Sequence, residues 1–279
     1  MSSQSAASQQ RLEITRHIAP VYAANENVRA LFVAGSVARG WADESSDVEI
    51  TLICAKPPTN AERQWCAQQA GGKLGRFEGY NPAKWTWPEE VYIEGVKLDM
   101  AWITPETVGS LLADVIDRHE THFNKQVYCA IIRRAVVLHG AEVMAPWQAK
   151  TAAYPAALQE AIVRQNIFFE RAAVRRLLVK RNDQPLLAEH DAYSVRKLLL
   201  LWLAINGEFY AGFKWTRQVI GALPIVPGNA SPRIESIFRS DPATGGEELR
   251  GLIHETFRLV EQHLPQVNTE PARSEFESG

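Results

Sequence analysis

Cysteine is scarce in this 279-residue chain. The three residues, Cys54, Cys66 and Cys129, are scattered and odd in number. They offer no disulfide framework and no zinc-ligand spacing, and a reducing cytoplasm is the expected compartment. A surplus of positive charge is also missing. Lys and Arg total 30 against 32 Asp and Glu, a net charge of −2, so no general basic field is available for long nucleic acid. No apolar run reaches the roughly 18 residues that a membrane span needs. The richest stretch, residues 197–205, reads as a buried helix. The opening MSSQSAASQQ lacks the apolar segment of a signal peptide, and residues 1–8 are expected to be disordered. No internal repeat is visible.

What is present is ample core. An apolar content of 46% with 22% charge is that of a soluble globular protein, long enough for one large domain or two ordinary ones. The most informative stretch is LFVAGSVARGWADESSDVEITLIC, residues 31–54. It reads as strand, tight turn into a helix start, loop, strand. Gly35 lets the backbone approach a ligand closely. Ser36 stands where free N–H groups at a helix start can meet an anion such as a phosphate. Asp47 and Glu49 are two apart on a strand and point to one face. Paired carboxylates of this kind suit Mg²⁺ carrying a nucleotide's phosphates. The plainer alternative is a surface turn and an acidic strand edge.

Around this stretch, residues 11–24 have helical spacing (Ile14, Ile18, Val21), with Pro20 expected to kink or end the helix. Residues 61–70 read as a helix and 75–80 as a short strand. The aromatics Tyr80, Trp85, Trp87 and Tyr92 either line a pocket or pack a hairpin. Residues 90–94 and 96–103 read as two strands around a Glu94-Gly95 turn. On the second strand Val96, Leu98 and Met100 face one way, and Lys97, Asp99 and Ala101 the other. Thr104-Pro105 is a helix start. His119 and His122 have no third partner at metal-ligand spacing and read as solvated. Residues 130–138 hold a last strand.

Beyond that the pattern is helical only. One long helix is expected over residues 154–180, a more buried one over 189–210, and shorter ones over 213–222, 231–238 and 245–263. The polar segment from residue 265 is expected to fray. The expected layout is α+β: a mixed β-sheet with helices over residues 1–143, then a helical bundle over 144–279.

The Gly35-Ser36 pair, the spacer and Asp47-x-Glu49 resemble the signature of the nucleotidyltransferase superfamily. The Asp-x-Glu version is similar to the kanamycin nucleotidyltransferase type of antibiotic-modifying enzyme. The resemblance is specific over residues 35–49 and only architectural over the helical half. It implies transfer of an NMP, such as AMP, from ATP or another NTP to a hydroxyl of a small molecule, with an aminoglycoside or lincosamide as the family-suggested acceptor. It implies two Mg²⁺ ions held by Asp47 and Glu49, with a third carboxylate from a later strand, for which Asp99 is the best match. Ser36 and its neighbours would hold phosphates, with Arg39 as a further contact or a plain surface arginine. Lys197 and Lys214 are additional phosphate candidates. The family's general base sits on the first long helix of the helical domain. Glu170 occupies a similar setting, with Glu160 a rival, although the family's lysine one turn later is Val174 here. The expected partners are a nucleotide and a small acceptor, with no long nucleic acid and no membrane, in a monomer or homodimer. AMP transfer to a protein, as in minimal antitoxins, and a non-catalytic nucleotide-binding module are the competing readings.

Overall fold

The apolar run after Glu49 becomes the centre of a sheet. In the computed structural model, which describes residues 4–212 and 214–278, β2 (Val48–Cys54) lies between β1 (Val28–Val33) and β5 (Val96–Ile103). A strand in that position is covered on both faces, hence its nearly unbroken apolar sequence. With β3 (Lys73–Phe77), β4 (Trp87–Ile93) and β6 (Val136–His139), the sheet has six strands in the order β3-β4-β5-β2-β1-β6. Strands β2 and β5 are parallel, and the other neighbours are antiparallel. The β4–β5 hairpin turns at Glu94 and Gly95, both at positive φ (51° and 79°), as a two-residue primed turn requires.

The two faces of the sheet differ. On one, Val48, Ile50, Leu52, Leu98, Met100 and Trp102 join a core with Leu12, Ile18 and Tyr22 of α1 (Ala6–Ala23) and Cys66 and Ala67 of α3 (Asn60–Gln69). Tyr22 donates to the Met100 sulfur at 3.3 Å. On the other face Thr51 and Ile53 are buried, whereas Asp47 and Glu49 are only half-buried. That face therefore opens toward the start of β2.

Helix α1 starts before the expected position, capped by the Ser5 hydroxyl, which accepts from the Ser8 N–H. The expected N-terminal disorder gives way to helix from Ala6, and its first three residues lie outside the described ones. Pro20 is inside the helix and does not end it. Residues 123–129 carried no expected element and 130–133 fell in the segment expected to hold the last strand; all form α5 (Phe123–Arg133), following α4 (Pro105–Ile116), and the strand itself is confined to Val136–His139. The chain divides into units Met1–Ala153 and Tyr154–Gly279. This boundary falls later than residue 143, because α6 (Ala141–Ala152) packs on α5 and β1 within the first unit.

In the second unit, α9 (Gln184–Ile205) is the central helix, packed by α7 (Ala156–Asn166), α8 (Ala172–Lys180), α11 (Ala230–Arg239) and α12 (Pro242–His263). The single helix expected over residues 154–180 is two. Asn166 turns its amide back to the Ile162 carbonyl at 2.8 Å, a side-chain bond that competes with helix continuation. Phe169 is buried against Phe257 and Phe276, with ring centroids 6.0 and 6.3 Å away. A short helix α10 (Thr216–Gly221) covers most of the expected 213–222 segment, and Phe213 itself lies outside the described residues. The expected frayed end holds α13 (Glu270–Glu277), anchored by buried Ala272 and Phe276 and by Arg250 and His254, which pair with Glu277. No described helix is long and apolar enough to cross a membrane.

Candidate functional site

The register of β2 and β5 brings the acidic residues together. Val48 pairs with Leu98, and Glu49 with Asp99. Asp47 and Glu49 therefore share a face with Lys97 and Asp99 on the adjacent strand. On the far side of β5, Glu90 of β4 pairs with Asp99. The result is a strip of four carboxylates across three strands.

Lys97 lies inside this strip. Its Nζ is 3.0 Å from Oδ2 of Asp99, 3.2 Å from Oδ2 of Asp47 and 4.0 Å from Oε1 of Glu90. Arg76 takes up part of the charge of Glu90 at 3.3 Å. The hydrogen bond to Asp99, joined by that to Asp47, holds the Lys97 ammonium above the usual lysine range. Burial pushes the Asp99 carboxyl up, and the adjacent Asp47 adds to that shift against the opposing pull of Lys97. Both shifts have one origin: two carboxylates confined at a half-buried position share one cation.

Glu49 takes a different direction. The Ala34 N–H donates to the Glu49 carbonyl at 2.8 Å, which ties β2 to the residue preceding α2 (Gly35–Arg39). A Cβ added to Gly35 would lie 1.2 Å from Oε2 of Glu49. Gly35, at φ 63°, thus makes room for the Glu49 carboxylate as well as for the turn. Ser36 follows as the second residue of this one-turn helix, so Gly35-Ser36 and Glu49 are neighbours. Arg39 ends the helix half-buried, its guanidinium 5.1 Å from the Trp41 ring centroid.

Among the described residues, no three His, Cys, Asp or Glu side chains stand close enough to hold a metal ion. Asp47 and Asp99 do converge, and the Lys97 ammonium marks the point where they favour positive charge. An all-oxygen pair of that kind fits a hard divalent cation such as Mg²⁺, provided that the ammonium moves.

The remaining candidates lie in the second unit. Glu170 is exposed, in the non-helical link between α7 and α8 and not on the face of a long helix. Lys197 donates to the Phe168 carbonyl, and its Nζ lies 4.9 Å from the Tyr193 ring centroid and 5.9 Å from that of Phe169. It thereby supports the link that interrupts the helix. Lys214 is exposed in the turn ahead of α10. Glu160 pairs with Arg164 one turn on. His119 and His122 enter no metal-holding group, and His122 packs edge-on to Trp85.

Sequence reasoning left Lys97 and Glu90 without roles. The signal was present in the hairpin: a two-residue turn at Glu94-Gly95 sets Ile93 opposite Val96, and therefore Glu90 opposite Asp99. Period-two alternation then puts Lys97 on the face of Asp99.

No family model matches the chain, and no curated protein does. Among solved structures it is similar to a nucleotidyltransferase-like protein from Exiguobacterium sibiricum 255-15, at 11% identity and a TM-score of 0.38, over 92% of this chain and 79% of that one. A likeness this slight does not bear on chemistry.

Proposed function

We propose that the protein is a Mg²⁺-dependent nucleotidyltransferase that moves an NMP, most simply AMP from ATP, to a hydroxyl of a small molecule. The observation that carries this reading is the meeting of Asp47 and Asp99, from adjacent parallel strands, around one cation position. Glu49 and the start of α2 lie beside them.

In this reading the acceptor oxygen forms a bond to the α-phosphorus, the bond to the bridging oxygen breaks, and pyrophosphate leaves. Asp47, Glu49 and Asp99 would hold the divalent ions. When bound, these would stabilise charge on the attacking and leaving oxygens. Backbone N–H groups at Gly35 and Ser36 receive the terminal phosphates, and Arg39 adds a further positive charge. Glu170 is the proposed base for the acceptor proton. Replacing it by Gln should slow turnover about 10²-fold or more, the scale of general base catalysis, and leave nucleotide binding intact. Unchanged turnover would remove it from the mechanism. Lys197 and Lys214 remain phosphate candidates, and an aminoglycoside- or lincosamide-like antibiotic remains the acceptor class to screen first.

Titration of each NTP with Mg²⁺ into the wild type and Asp47→Asn, read by calorimetry, tests the reading. Metal-dependent binding that weakens in the variant supports it. A second reading, a non-catalytic nucleotide-binding module, draws on the ammonium of Lys97 at the cation position. Nucleotide binding that is unaffected by metal and by Asp47→Asn would favour that module.

A further inference from the structure

Lys97 and a divalent ion compete for the same oxygens. The ammonium is 3.0 Å from Oδ2 of Asp99 and 3.2 Å from Oδ2 of Asp47. Mg²⁺ binds such oxygens at about 2.1 Å, and two cations sharing them would repel strongly. A salt bridge in this position adds no connection to the fold, because β2 and β5 are already paired from Val48–Leu98 to Ile53–Ile103. Lys97 also has somewhere to go. Its side chain is 33% exposed on a flexible four-carbon stem. It lines an open cavity of about 860 Å³ together with Asp47, Ser46, Glu44 and Glu94. The last two offer carboxylates that can receive a displaced ammonium.

We propose that Lys97 is a built-in counter-cation that keeps the Asp47–Asp99 position closed to free divalent metal until a metal–nucleotide complex displaces it. The inference rests on the metal-dependent reading above. Metal alone must displace the ammonium without help. A metal–triphosphate brings its own oxygen ligands and can accept the released ammonium on phosphate. The site is thereby biased toward the loaded substrate over the bare ion.

The test uses Mn²⁺ alone, with free ion followed by electron paramagnetic resonance, and the full chain throughout. Lys97→Met and Lys97→Gln should each bind Mn²⁺ about tenfold more tightly than the wild type, a modest share of the Coulomb energy at this spacing. Lys97→Arg, which keeps the charge, should bind no more tightly than the wild type. Adding Asp47→Asn to Lys97→Met should remove the gain. Thermal midpoints of all variants identify any that fail to fold, and two uncharged replacements guard against one failing. If Mn²⁺ binds Lys97→Met no better than the wild type, yet Asp47→Asn weakens binding, the metal site stands and the gating role of Lys97 is overturned. If none of the proteins binds Mn²⁺, this inference and the metal-dependent reading both fall.

Discussion

Strands β4 and β5 carry an ion cluster on each face, and the two are built on opposite terms. On the core face, Arg63 donates through Nε to Oε2 of Glu89 at 2.8 Å and through its two terminal nitrogens to the carbonyls of Glu78 and Pro88 at 2.7 Å each. Trp102 Nε1 donates to the other Glu89 oxygen at 3.1 Å. Both charged side chains are fully buried, one charge balances the other, and each carboxylate oxygen of Glu89 has a donor. On the opposite face, Asp47, Asp99 and Glu90 surround Lys97. Acid is in surplus, and the side chains of Asp47 and Asp99 are 24% and 35% exposed. The first cluster is complete and closed to ligand. The second gathers three carboxylates about one ammonium at half-exposed positions, and that combination is what points to a binding site. The Arg175–Asp191 pair of the second unit belongs with the first kind: it is two-pronged, at 2.8 and 2.9 Å, and nearly buried.

The contrast can be broken by substitution. Arg63→Ala leaves Glu89 buried without its partner and should cost about 3–5 kcal/mol, read from urea unfolding. A loss under about 1 kcal/mol would mean that water reaches Glu89 and that this cluster is not closed. Asp47→Asn should lower the proposed transfer activity by about 10²–10³-fold, the scale for losing a group that stabilises transition-state charge. Its unfolding midpoint should stay near the wild type, since the Asp47 side chain is 24% exposed and an ion pair at such a position contributes little. A fully active Asp47→Asn protein would sink the site assignment. Gly35→Ala should destabilise by about 1–3 kcal/mol, because the residue has positive φ and its new Cβ would meet the Glu49 carboxylate. Activity should fall with it as Glu49 is pushed aside.

The smallest effect concerns pH. Burial alone would raise the Asp191 carboxyl, but His190 and Arg175 outweigh it and hold it below the usual carboxylate range. A carboxylate depressed in the folded state contributes stability above its unfolded value of about 3.9, and that contribution is lost as pH falls through the folded value. The stability gap between the wild type and Asp191→Asn should therefore close as pH falls below about 3.9 toward the folded value. A gap that persisted unchanged in strong acid would show that the carboxylate charge is not what the pair supplies.

Local signals were the legible part. Thr104 caps α4, and the Glu94-Gly95 turn joins β4 to β5, each where short-range chemistry requires it. The break at residues 167–171 was not legible. Its cause is the burial of Phe169 against Phe257 and Phe276, which are about 90 and 110 residues away in sequence. Helix α13 escaped for the same reason. Its sequence is polar, and it is held by Phe276 against Phe169 and by Arg250 and His254 on Glu277.

By itself the sequence determined the α+β layout, the strand faces of Asp47, Glu49 and Asp99, and the turn that brings β5 back along β4. Periodicity and turn chemistry are properties of neighbouring residues. Only the tertiary structure decided the parallel register of β2 on β5, and with it the meeting of Asp47 and Asp99 about one ammonium. The antiparallel pairing of β1 with β2 seated Glu49 over Gly35. Register depends on which face finds a core, and that is settled by α1 and α3 packing on the other side of the sheet.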